Sequence, residues 1–380
     1  MIRRVVRSYA SVARMVAGLC VLALLLSGCS LFTSSGPPWI EMHPTIHPSG
    51  SDIAFLAAYD AATRQEILYG GGSSLLGTVL SQTWTWNGAN WTELHPKVSP
   101  PPRPGPAMVY DAETRSIVLV TPVVNFEKAI PRSDWTPQHK LVPTLRSKFW
   151  ETWTWDGTTW SELQARSGLP AYSGLHMAYD AATKSIVLVL HTLRGLETWT
   201  WSGSTWTHRD SVRVLPYFEG SAMAYDAATS QVILFEGDNL ERGVRTYRYT
   251  WTWNGTSWRQ RHPRHSPQAP LWSAMTYDPQ LQQLLLFGGA TSYGPHGHVV
   301  NSTWAWNGIT WIRLHQSVSP PARAQASMAY DASTKSMVLF GGSGNHHNHS
   351  DTWTLRIATH SSRHVSRRSR ARGRATTVRP

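Results

Sequence analysis

The sequence predicts an all-β fold built as a ring of six four-stranded sheets, and two regularities of the chain predict it. A tyrosine-aspartate pair follows a tryptophan by 19 residues, or by 20 in the first unit, six times along the chain. A pair of tryptophans seven residues apart occurs five times. The Tyr-Asp pairs begin at Tyr59, Tyr110, Tyr179, Tyr225, Tyr277 and Tyr330. A repeat of about 50 residues favours one closed array over two separate domains.

Each unit has the pattern of four short strands. The first strand is apolar and ends at Tyr-Asp, and the aspartate is followed by a turn in which its carboxylate can accept backbone hydrogen bonds. The second strand, such as Ile186 to Leu190, is apolar on both faces, which indicates a strand covered on both sides. The third alternates Thr and Trp, and an Asn-Gly, Asp-Gly or Ser-Gly pair then predicts a four-residue hairpin loop into the fourth.

The tryptophans of the third and fourth strands are predicted to pack between sheets. A four-residue loop places Trp86 opposite Trp91 on one face of its hairpin, and the other units repeat this spacing. Burying a large aromatic side chain contributes roughly 1.5 to 3 kcal/mol. Packing is therefore favoured over an array of sugar-stacking rings at these positions.

The sixth unit ends at Leu355 without a fourth strand, and the missing strand lies at the other end of the chain. Residues 39 to 44, with the sequence Trp-Ile-Glu-Met-His-Pro, match the fourth strand that begins at Trp91. We therefore expect the N-terminal strand to complete the last sheet, because an open array would expose unpaired strand edges at each end.

These repeats resemble the kelch family, whose six-bladed β-propeller is also the central domain of galactose oxidase. The resemblance covers residues 39–355 and implies a kelch-type propeller whose last blade is closed by the N-terminal strand. Its glycines follow the second strand at Gly70-Gly71-Gly72, Gly288-Gly289 and Gly341-Gly342. Units two to four depart from this pattern with Val120-Thr121, Leu190-His191 and Glu236-Gly237. The arginine that the family often places before the first strand occurs only as Arg103 and Arg323.

Residues 1–28 have the pattern of a secretory signal, with arginines before an apolar run. Leu26-Ser27-Gly28-Cys29 resembles the bacterial lipobox, which implies cleavage before Cys29 and lipidation of its thiol. An ordinary signal peptide beside an unrelated cysteine is the competing interpretation. Residues 29–38 are then a short tether, and we expect an extracytoplasmic lipoprotein held on a bacterial cell membrane by its acyl chains.

The formal net charge of +12 is concentrated at the two ends of the chain. Residues 30–355 carry 23 basic and 23 acidic side chains, so no overall field steers a polyanion to the propeller. Residues 356–380 carry eight arginines and no acid, and we expect this tail to be disordered because it has little apolar surface to bury. The tail is either a solubilising extension or a contact for anionic head groups, acidic cell-wall polymers or DNA.

The connections between strands two and three and between strands four and one should gather on one side of the ring. From Tyr-Asp to the next tryptophan the chain takes between 20 and 43 residues, whereas the other intervals hardly vary. Variable loops on a rigid scaffold are where recognition is expected, although a self-packed insertion is the competing interpretation of the longest loop, Thr121 to Trp150. The candidate ligand-binding residues are Phe126, Trp135, Phe149, Trp150, Arg103 and Arg323.

Histidines in the variable connections of units five and six are candidate ligands for zinc or copper. They are His296, His298, His346, His347 and His349. Adventitious metal binding by an exposed histidine-rich tract is the competing interpretation, and we expect no required cofactor. In the loop of unit four, Glu236, Asp238 and Glu241 are candidate acid and base groups.

We predict a monomeric, membrane-anchored binding propeller whose ligand is a protein or a glycan. The alternative is a carbohydrate-active enzyme of mutarotase-like, non-radical type that uses loop carboxylates or a loop-bound metal, and a third option is a structural envelope protein. The resemblance to galactose oxidase does not extend to its radical-copper chemistry. That site needs a cysteine crosslinked to a tyrosine, and residues 39–355 contain no cysteine.

Overall fold

In the computed structural model the described residues lie between 36 and 356, with gaps at 49–54, 74–77, 104, 125–146, 165–167, 171–173, 193–194, 213–219, 240–245, 270 and 293–297. Every helix or strand assigned within these residues is a β-strand. No helix in this part of the chain is long and apolar enough to cross a membrane.

The described residues form 24 strands, each four to nine residues long. In chain order they are β1 (Trp39–Met42), β2 (Phe55–Asp60), β3 (Gln65–Ser73), β4 (Thr78–Trp86), β5 (Trp91–Leu94), β6 (Ala107–Asp111), β7 (Ser116–Val124), β8 (Ser147–Trp155), β9 (Trp160–Gln164), β10 (Leu175–Asp180), β11 (Ser185–Thr192), β12 (Gly195–Trp201), β13 (Trp206–Val212), β14 (Ala222–Asp226), β15 (Gln231–Asn239), β16 (Thr246–Trp253), β17 (Trp258–Arg261), β18 (Ala274–Asp278), β19 (Gln283–Phe287), β20 (Thr303–Trp306), β21 (Trp311–Leu314), β22 (Ser327–Asp331), β23 (Ser336–Phe340) and β24 (Thr352–Leu355).

The strands form six antiparallel four-stranded sheets, the blades of a β-propeller. Blades 1 to 5 each take four consecutive strands, starting from β2, β6, β10, β14 and β18, and blade 6 has the order β22-β23-β24-β1. In blade 6, Trp39 lies opposite Leu355 and Glu41 lies opposite Trp353. The predicted all-β propeller closed by its N-terminal strand is therefore confirmed.

The turn between the first and second strands has one design in all six blades. In blade 1, Asp60 accepts a hydrogen bond from the backbone N–H of Ala62 at 2.9 Å. Two residues later Arg64 has a φ of 60°, in the left-handed region. The residues at this left-handed position are Arg64, Arg115, Lys184, Ser230, Gln282 and Lys335.

The hydrophobic core lies in layers between neighbouring blades rather than at the centre of the ring. One layer joins Val187 and Val189 of blade 3 to Val232 and Leu234 of blade 4. The seam between blade 6 and blade 1 is packed in the same way, with the rings of Phe340 and Phe55 at 5.5 Å. Because each second strand is covered on both faces, its residues are apolar on both faces, as the sequence predicts.

The predicted tryptophan pairs are confirmed, and the structure adds a hydrogen bond to each fourth-strand member. Trp86 and Trp91 lie opposite each other with ring centroids 5.0 Å apart. The fourth-strand indole N–H then donates to a buried threonine on the third strand of the preceding blade. The donor and acceptor pairs are Trp91 and Thr352 at 2.8 Å, Trp160 and Thr83 at 3.0 Å, Trp206 and Thr152 at 3.0 Å, Trp258 and Thr198 at 2.8 Å, Trp311 and Thr250 at 3.0 Å, and Trp39 and Thr303 at 3.2 Å.

Candidate functional site

The ring has two different ends. The turn face is the end that carries the turns between first and second strands and the hairpins between third and fourth strands. The loop face is the opposite end, which carries the variable connections. Because adjacent strands are antiparallel, each blade contributes to both faces in the same way.

The turn face is nearly identical from blade to blade. Each first strand ends at an aspartate that is at most 2% exposed, and each second strand begins after the same four-residue turn. The turn also braces the next blade, since a Cβ on Gly157 in the blade 2 hairpin would meet the methyl group of Thr63 at 2.5 Å. The backbone therefore repeats on this face, while the residue at the left-handed turn position changes between Arg, Lys, Ser and Gln.

A cavity of about 270 Å³ lies on the ring axis, lined by the first strands of all six blades. Met108, Met177, Met223, Met275 and Met328 form its wall, and blade 1 places the smaller Ala57 at the same position. The six repeat tyrosines also line it, each adjacent to the aspartate that begins the turn. Burial, followed by the Asp331 carboxylate, raises the pKa of Tyr59 above its usual range.

Two ion pairs occupy equivalent places at the loop face of blades 2 and 6. Arg103 contacts Glu151 at 3.4 Å, with both side chains partly exposed. Arg323 has no exposed surface, and its guanidinium donates to Asp351 at 2.9 Å and to the Gly341 carbonyl at 2.9 Å. Burial opposes ionisation of Asp351, but the hydrogen bonds from Arg323 lower the pKa of that carboxyl. Both predicted arginines are thus paired with acids at the loop face. Each acid lies two residues before a tryptophan of the third strand.

The seam between blades 3 and 4 holds four polar side chains at the loop face, three of them buried. His176 and His191 of blade 3 lie edge to face with ring centroids 5.5 Å apart. The Nε2 atom of His191 is 3.5 Å from Oγ of Ser221 in blade 4. Burial lowers the pKa of His176 to about 4, and burial together with His176 lowers the pKa of His191 to about 3. Both imidazoles are therefore neutral near pH 7.

Glu236 faces the same seam from the blade 4 side. It lies in β15 with no exposed surface, and alternation along the strand points it into the same layer as Val232 and Leu234. Among the described residues neither carboxylate oxygen accepts a hydrogen bond of good geometry, although the Trp251 side chain lies near enough to favour the anion. Burial raises the pKa of Glu236 to about 8, so the group is a neutral acid near pH 7. The seam thus holds a protonated acid and two neutral imidazoles, groups that can donate and accept protons.

The prediction that Glu236 belongs to a surface loop is wrong. In blades 5 and 6 the second strand ends at Phe287 and Phe340, before the glycine pair, whereas in blade 4 it continues to Asn239. This longer β15 carries Glu236 into the seam and also includes Asp238. Glu241 lies outside the described residues.

The aromatic candidates of the blade 2 connection do not form one surface in the described residues. Phe149 and Trp150 lie in β8, and Phe126 and Trp135 lie outside the described part of the chain. Trp150 is 1% exposed, packs in the layer between blades 2 and 3, and donates its N–H to the Pro170 carbonyl at 2.7 Å. In this conformation its ring offers no surface to a ligand.

The histidine candidates lie on neighbouring loops, as the chain order predicts. The connections of blades 5 and 6 meet where the backbone N–H of Val299 donates to Oδ1 of Asn345 at 3.0 Å. The rings of His347 and His349 have centroids 4.7 Å apart, His346 is exposed, and His298 lies near Oγ1 of Thr291. Among the described residues no group of three His, Cys, Asp or Glu side chains is placed to hold a metal ion. His296 lies outside those residues, and the metal site stays a prediction.

The sequence contains a signal for the seam cluster, but residue spacing alone does not show what the signal means. His191 and Glu236 occupy the positions at which other blades have the glycine pair, and that departure is visible in the chain. What the chain does not show is that a third polar residue, His176, and Ser221 of the next blade both meet His191. Cys29 and the tail after Arg356 lie outside the described residues.

Comparison with known proteins concerns the fold. No protein-family model matches this chain, and no curated protein sequence matches it. The solved structure of YjhT is similar with a TM-score of 0.55 and 12% identity, over 84% of this chain and 97% of that chain. A crystal structure of a protein of unknown function from Dyadobacter fermentans is similar with a TM-score of 0.51 and 12% identity, over 84% and 98% of the two chains. At such identity these likenesses bear on the propeller architecture alone.

Proposed function

We propose that this chain is a kelch-type binding propeller, anchored outside the cell through Cys29, which presents its loop face to a protein or glycan. One observation carries the proposal: the blades share one backbone design at the turn face, whereas at the loop face their connections differ in length and structure. Ion pairs occur in blades 2 and 6, and buried ionisable groups occur at the seam of blades 3 and 4. An asymmetric ligand needs a surface on which the six-fold repeat is broken.

The kelch assignment is supported by the register of the glycine motifs. Gly288 begins the segment directly after β19, and Gly341 begins the segment directly after β23, as the family pattern requires. A Cβ on Gly289 would meet the side-chain oxygen of Ser273 at 2.3 Å, so the second glycine is needed for close packing between the connections.

Binding to a glycan array tests the proposal with the full chain in detergent. A loop-face variant replaces residues 126–145 by a short Gly/Ser linker. A turn-face control carries Ala89→Glu and Thr158→Glu, both in exposed hairpins. We expect binding to one glycan class that falls at least tenfold in the loop variant and is unchanged in the control. Loss only in the turn-face control would show that the face is assigned wrongly, and a null across all sugars would leave a protein as the ligand.

A second candidate function, a carbohydrate-active enzyme, would use the Glu236 cluster only in a conformation that opens the seam, because Glu236 has no exposed surface in this one. A carboxylic acid kept protonated near pH 7 can act as a general acid, and the neighbouring imidazoles are neutral bases. The Glu236→Gln variant separates the two functions. Under the binding proposal it leaves glycan affinity unchanged, whereas turnover of a bound sugar that is lost in this variant would support the enzyme.

A further inference from the structure

We propose that the loop-face end of the ring axis carries a stacking site for a neutral sugar, formed by the indole of Trp272 with the amide of Gln325 and the imidazole of His176 beside it. The inference deepens the proposed function, because it names the class of ligand and the place where it binds. It rests on that function for the choice of face.

A ring of residues in the left-handed conformation surrounds the loop-face end of the axis. Each lies five residues before a repeat tyrosine, where the chain enters the innermost strand of a blade. We call this ring the collar, and it lies three residues, or about 10 Å, from the methionines that wall the axial cavity. Its described members are Gly105, Gly174, Gly220, Trp272 and Gln325, with φ between 55° and 91°.

Blades 5 and 6 place side chains in the collar where blades 2 to 4 have glycine. Glycine adopts a left-handed φ without strain, whereas a bulky residue such as tryptophan in this region is an outlier. Such a conformation persists only where the surrounding structure holds it, and these positions cluster at functional sites. The strained Trp272 is therefore a candidate for recognition.

Backbone hydrogen bonds from both neighbouring blades hold Trp272 in the collar. Its N–H donates to the Gly220 carbonyl of blade 4 at 2.5 Å, and its carbonyl accepts the N–H of Gln325 in blade 6 at 2.9 Å. The side chain thus projects from a backbone that is fixed on both sides. A ring fixed in this way loses little conformational entropy when a ligand stacks on it.

Trp272 does not belong to the tryptophans that pack between blades. It is one of three tryptophans outside the repeat positions, together with Trp135 and Trp150. Trp150 is buried, and Trp135 lies outside the described residues. Trp272 packs on one side against the apolar connections of blades 5 and 6, but part of its surface stays exposed. A partly exposed indole on a rigid backbone suits stacking against the C–H face of a sugar.

Blade 4 leaves the room that the indole occupies. A Cβ on Gly220 would meet Cδ1 of Trp272 at 2.8 Å and its backbone nitrogen at 2.8 Å. Any larger residue at position 220 would therefore displace the ring. The indole lies at the seam of blades 4 and 5, beside the residue that precedes Ser221.

Hydrogen-bonding groups lie near this stacking surface. Oγ of Ser221 is 3.5 Å from Nε2 of His191, and the ring of His191 contacts that of His176. His176 lies on the innermost strand β10, and among the described residues its Nε2 has no hydrogen-bond partner. A sugar hydroxyl can satisfy that atom, and the partly exposed amide of Gln325 offers both a donor and an acceptor.

The charges around the collar favour a neutral ligand. None of the five described collar residues is ionisable. The arginines of the same face are paired, Arg103 with Glu151 and the fully buried Arg323 with Asp351. An anionic sugar would thus find no unpaired cation among these residues. A neutral hexose or N-acetylhexosamine offers a C–H face to the indole and hydroxyls to the amide and the imidazole.

The test compares variants of the full chain on an array of neutral and acidic glycans. Trp272→Gly gives blade 5 the collar residue of blades 2 to 4, and Trp272→Phe keeps an aromatic ring. Gln325→Gly removes the amide. Its matched control is Gln282→Gly on the turn face, because the two glutamines have φ values of 58° and 55°.

We expect binding to neutral hexose or N-acetylhexosamine glycans that falls at least tenfold in Trp272→Gly and at least threefold in Gln325→Gly. Binding should fall less than threefold in Trp272→Phe and stay unchanged in Gln282→Gly. The Tm of Trp272→Gly should stay within about 3 °C of the parent chain, since relief of the left-handed strain offsets the lost packing.

Chemical shifts of the sugar distinguish stacking from a structural role of Trp272. Protons that lie over an aromatic face move upfield in the NMR spectrum. We expect such shifts for the C–H protons of the neutral trisaccharide that the array binds best, with the parent chain and with Trp272→Phe. Absence of these shifts with the parent chain would contradict the stacking site.

The outcomes separate this inference from the proposed function. Equal glycan binding by the parent chain and Trp272→Gly would overturn the collar site and leave a glycan-binding loop face in place. A preference for sialylated or uronic-acid glycans would overturn the choice of a neutral ligand. A null across all sugars would overturn the inference, whereas the proposed function would keep a protein as its ligand.

Discussion

At the residue scale, two buried glutamates break the repeat in positions that other blades fill with apolar or small residues. Glu66 is 1% exposed where the other second strands carry Ile117, Ile186, Val232, Leu284 or Met337. Burial, and secondarily the Asp331 carboxylate, raises the pKa of Glu66 well above its usual range. Glu236 is fully buried at a glycine position, also with a raised pKa. A lone buried carboxyl is costly as an anion, so both groups link folding to pH.

We expect Glu236→Gln to flatten the dependence of stability on pH between about 5 and 8. In the unfolded chain a glutamate ionises near pH 4.3, whereas in the folded protein the pKa of Glu236 is about 8. Between these values the folded state binds the extra proton, so the contribution of Glu236 to stability is complete below the unfolded pKa and is lost as pH rises towards 8. The loss should be on the order of a few kcal/mol. Urea unfolding across this range measures it.

The matched control is Glu162→Gln, an exposed glutamate of β9 whose change should leave the pH profile as it is in the parent chain. Glu66 acts in the same direction as Glu236, so the double variant with Glu66→Gln should be flatter still. Parallel stability profiles for the parent chain and Glu236→Gln would contradict the buried, protonated state of this group.

At the element scale, the alternation of Thr and Trp gives the third strand of each blade two structural roles. Its tryptophans pack between blades, and the threonine directly before the first tryptophan accepts the indole N–H of the next blade. The sequence predicted the packing, because an alternating strand with a tight hairpin fixes which rings lie opposite each other. The hydrogen bond joins residues 77 apart in the case of Thr83 and Trp160, and no local pattern specifies how one sheet is placed on the next.

Thr83→Val and Thr85→Val form a matched pair that isolates this bond. Both threonines are buried in β4 at 1% and 6% exposure, but Thr83 accepts the Trp160 N–H at 3.0 Å, whereas Oγ1 of Thr85 has no hydrogen-bond partner in the described part of the chain. Thr83→Val leaves a buried donor unsatisfied and should lower the free energy of unfolding by about 1 to 3 kcal/mol. Thr85→Val removes an unpaired hydroxyl and should be neutral or stabilising. If both variants lose the same free energy of unfolding, the loss comes from the shape of valine and not from the missing hydrogen bond.

The difference between contacts within one repeat and contacts between two sheets also explains which site residues were predictable. Strand number, turn type and blade closure follow from intervals along the chain, because each is set by residues within one unit or by a repeated segment. Trp150 was expected in a binding loop, but β7 and β8 continue pairing past the usual end of the blade and bury it. The contact of His191 with Ser221 depends on the distance between two neighbouring sheets. The spacing of residues within one repeat does not determine that distance.

At the scale of the whole molecule, closure of the ring depends on one short strand. Four residues of β1 hold the two ends of the chain together, while each seam between blades is made by larger apolar layers. Unpairing β1 from β24 would expose the edge of β24 and remove Trp39 from its layer with Leu355 and Phe287. We therefore expect this pairing to open before any blade unfolds.

A disulfide across that pairing tests whether the ring opens there. Ile40 and Thr354 are direct partners in the antiparallel ladder, a geometry in which Cα atoms lie about 4.5 to 5.5 Å apart and a disulfide can form. Ile312 and Ala305 are the equivalent partners in blade 5, where a bridge closes only a hairpin. In the chain-entropy relation the bridge that closes the long loop stabilises the fold by about 3 kcal/mol more than the bridge that closes the hairpin.

With Cys20 and Cys29 changed to Ser, we expect Ile40→Cys with Thr354→Cys to raise the Tm and slow unfolding far more than Ile312→Cys with Ala305→Cys. Tryptophan fluorescence before and after reduction follows both. If the two bridges have equal effects, the chain ends do not separate on the way to unfolding, and the ring must open at a seam between blades instead.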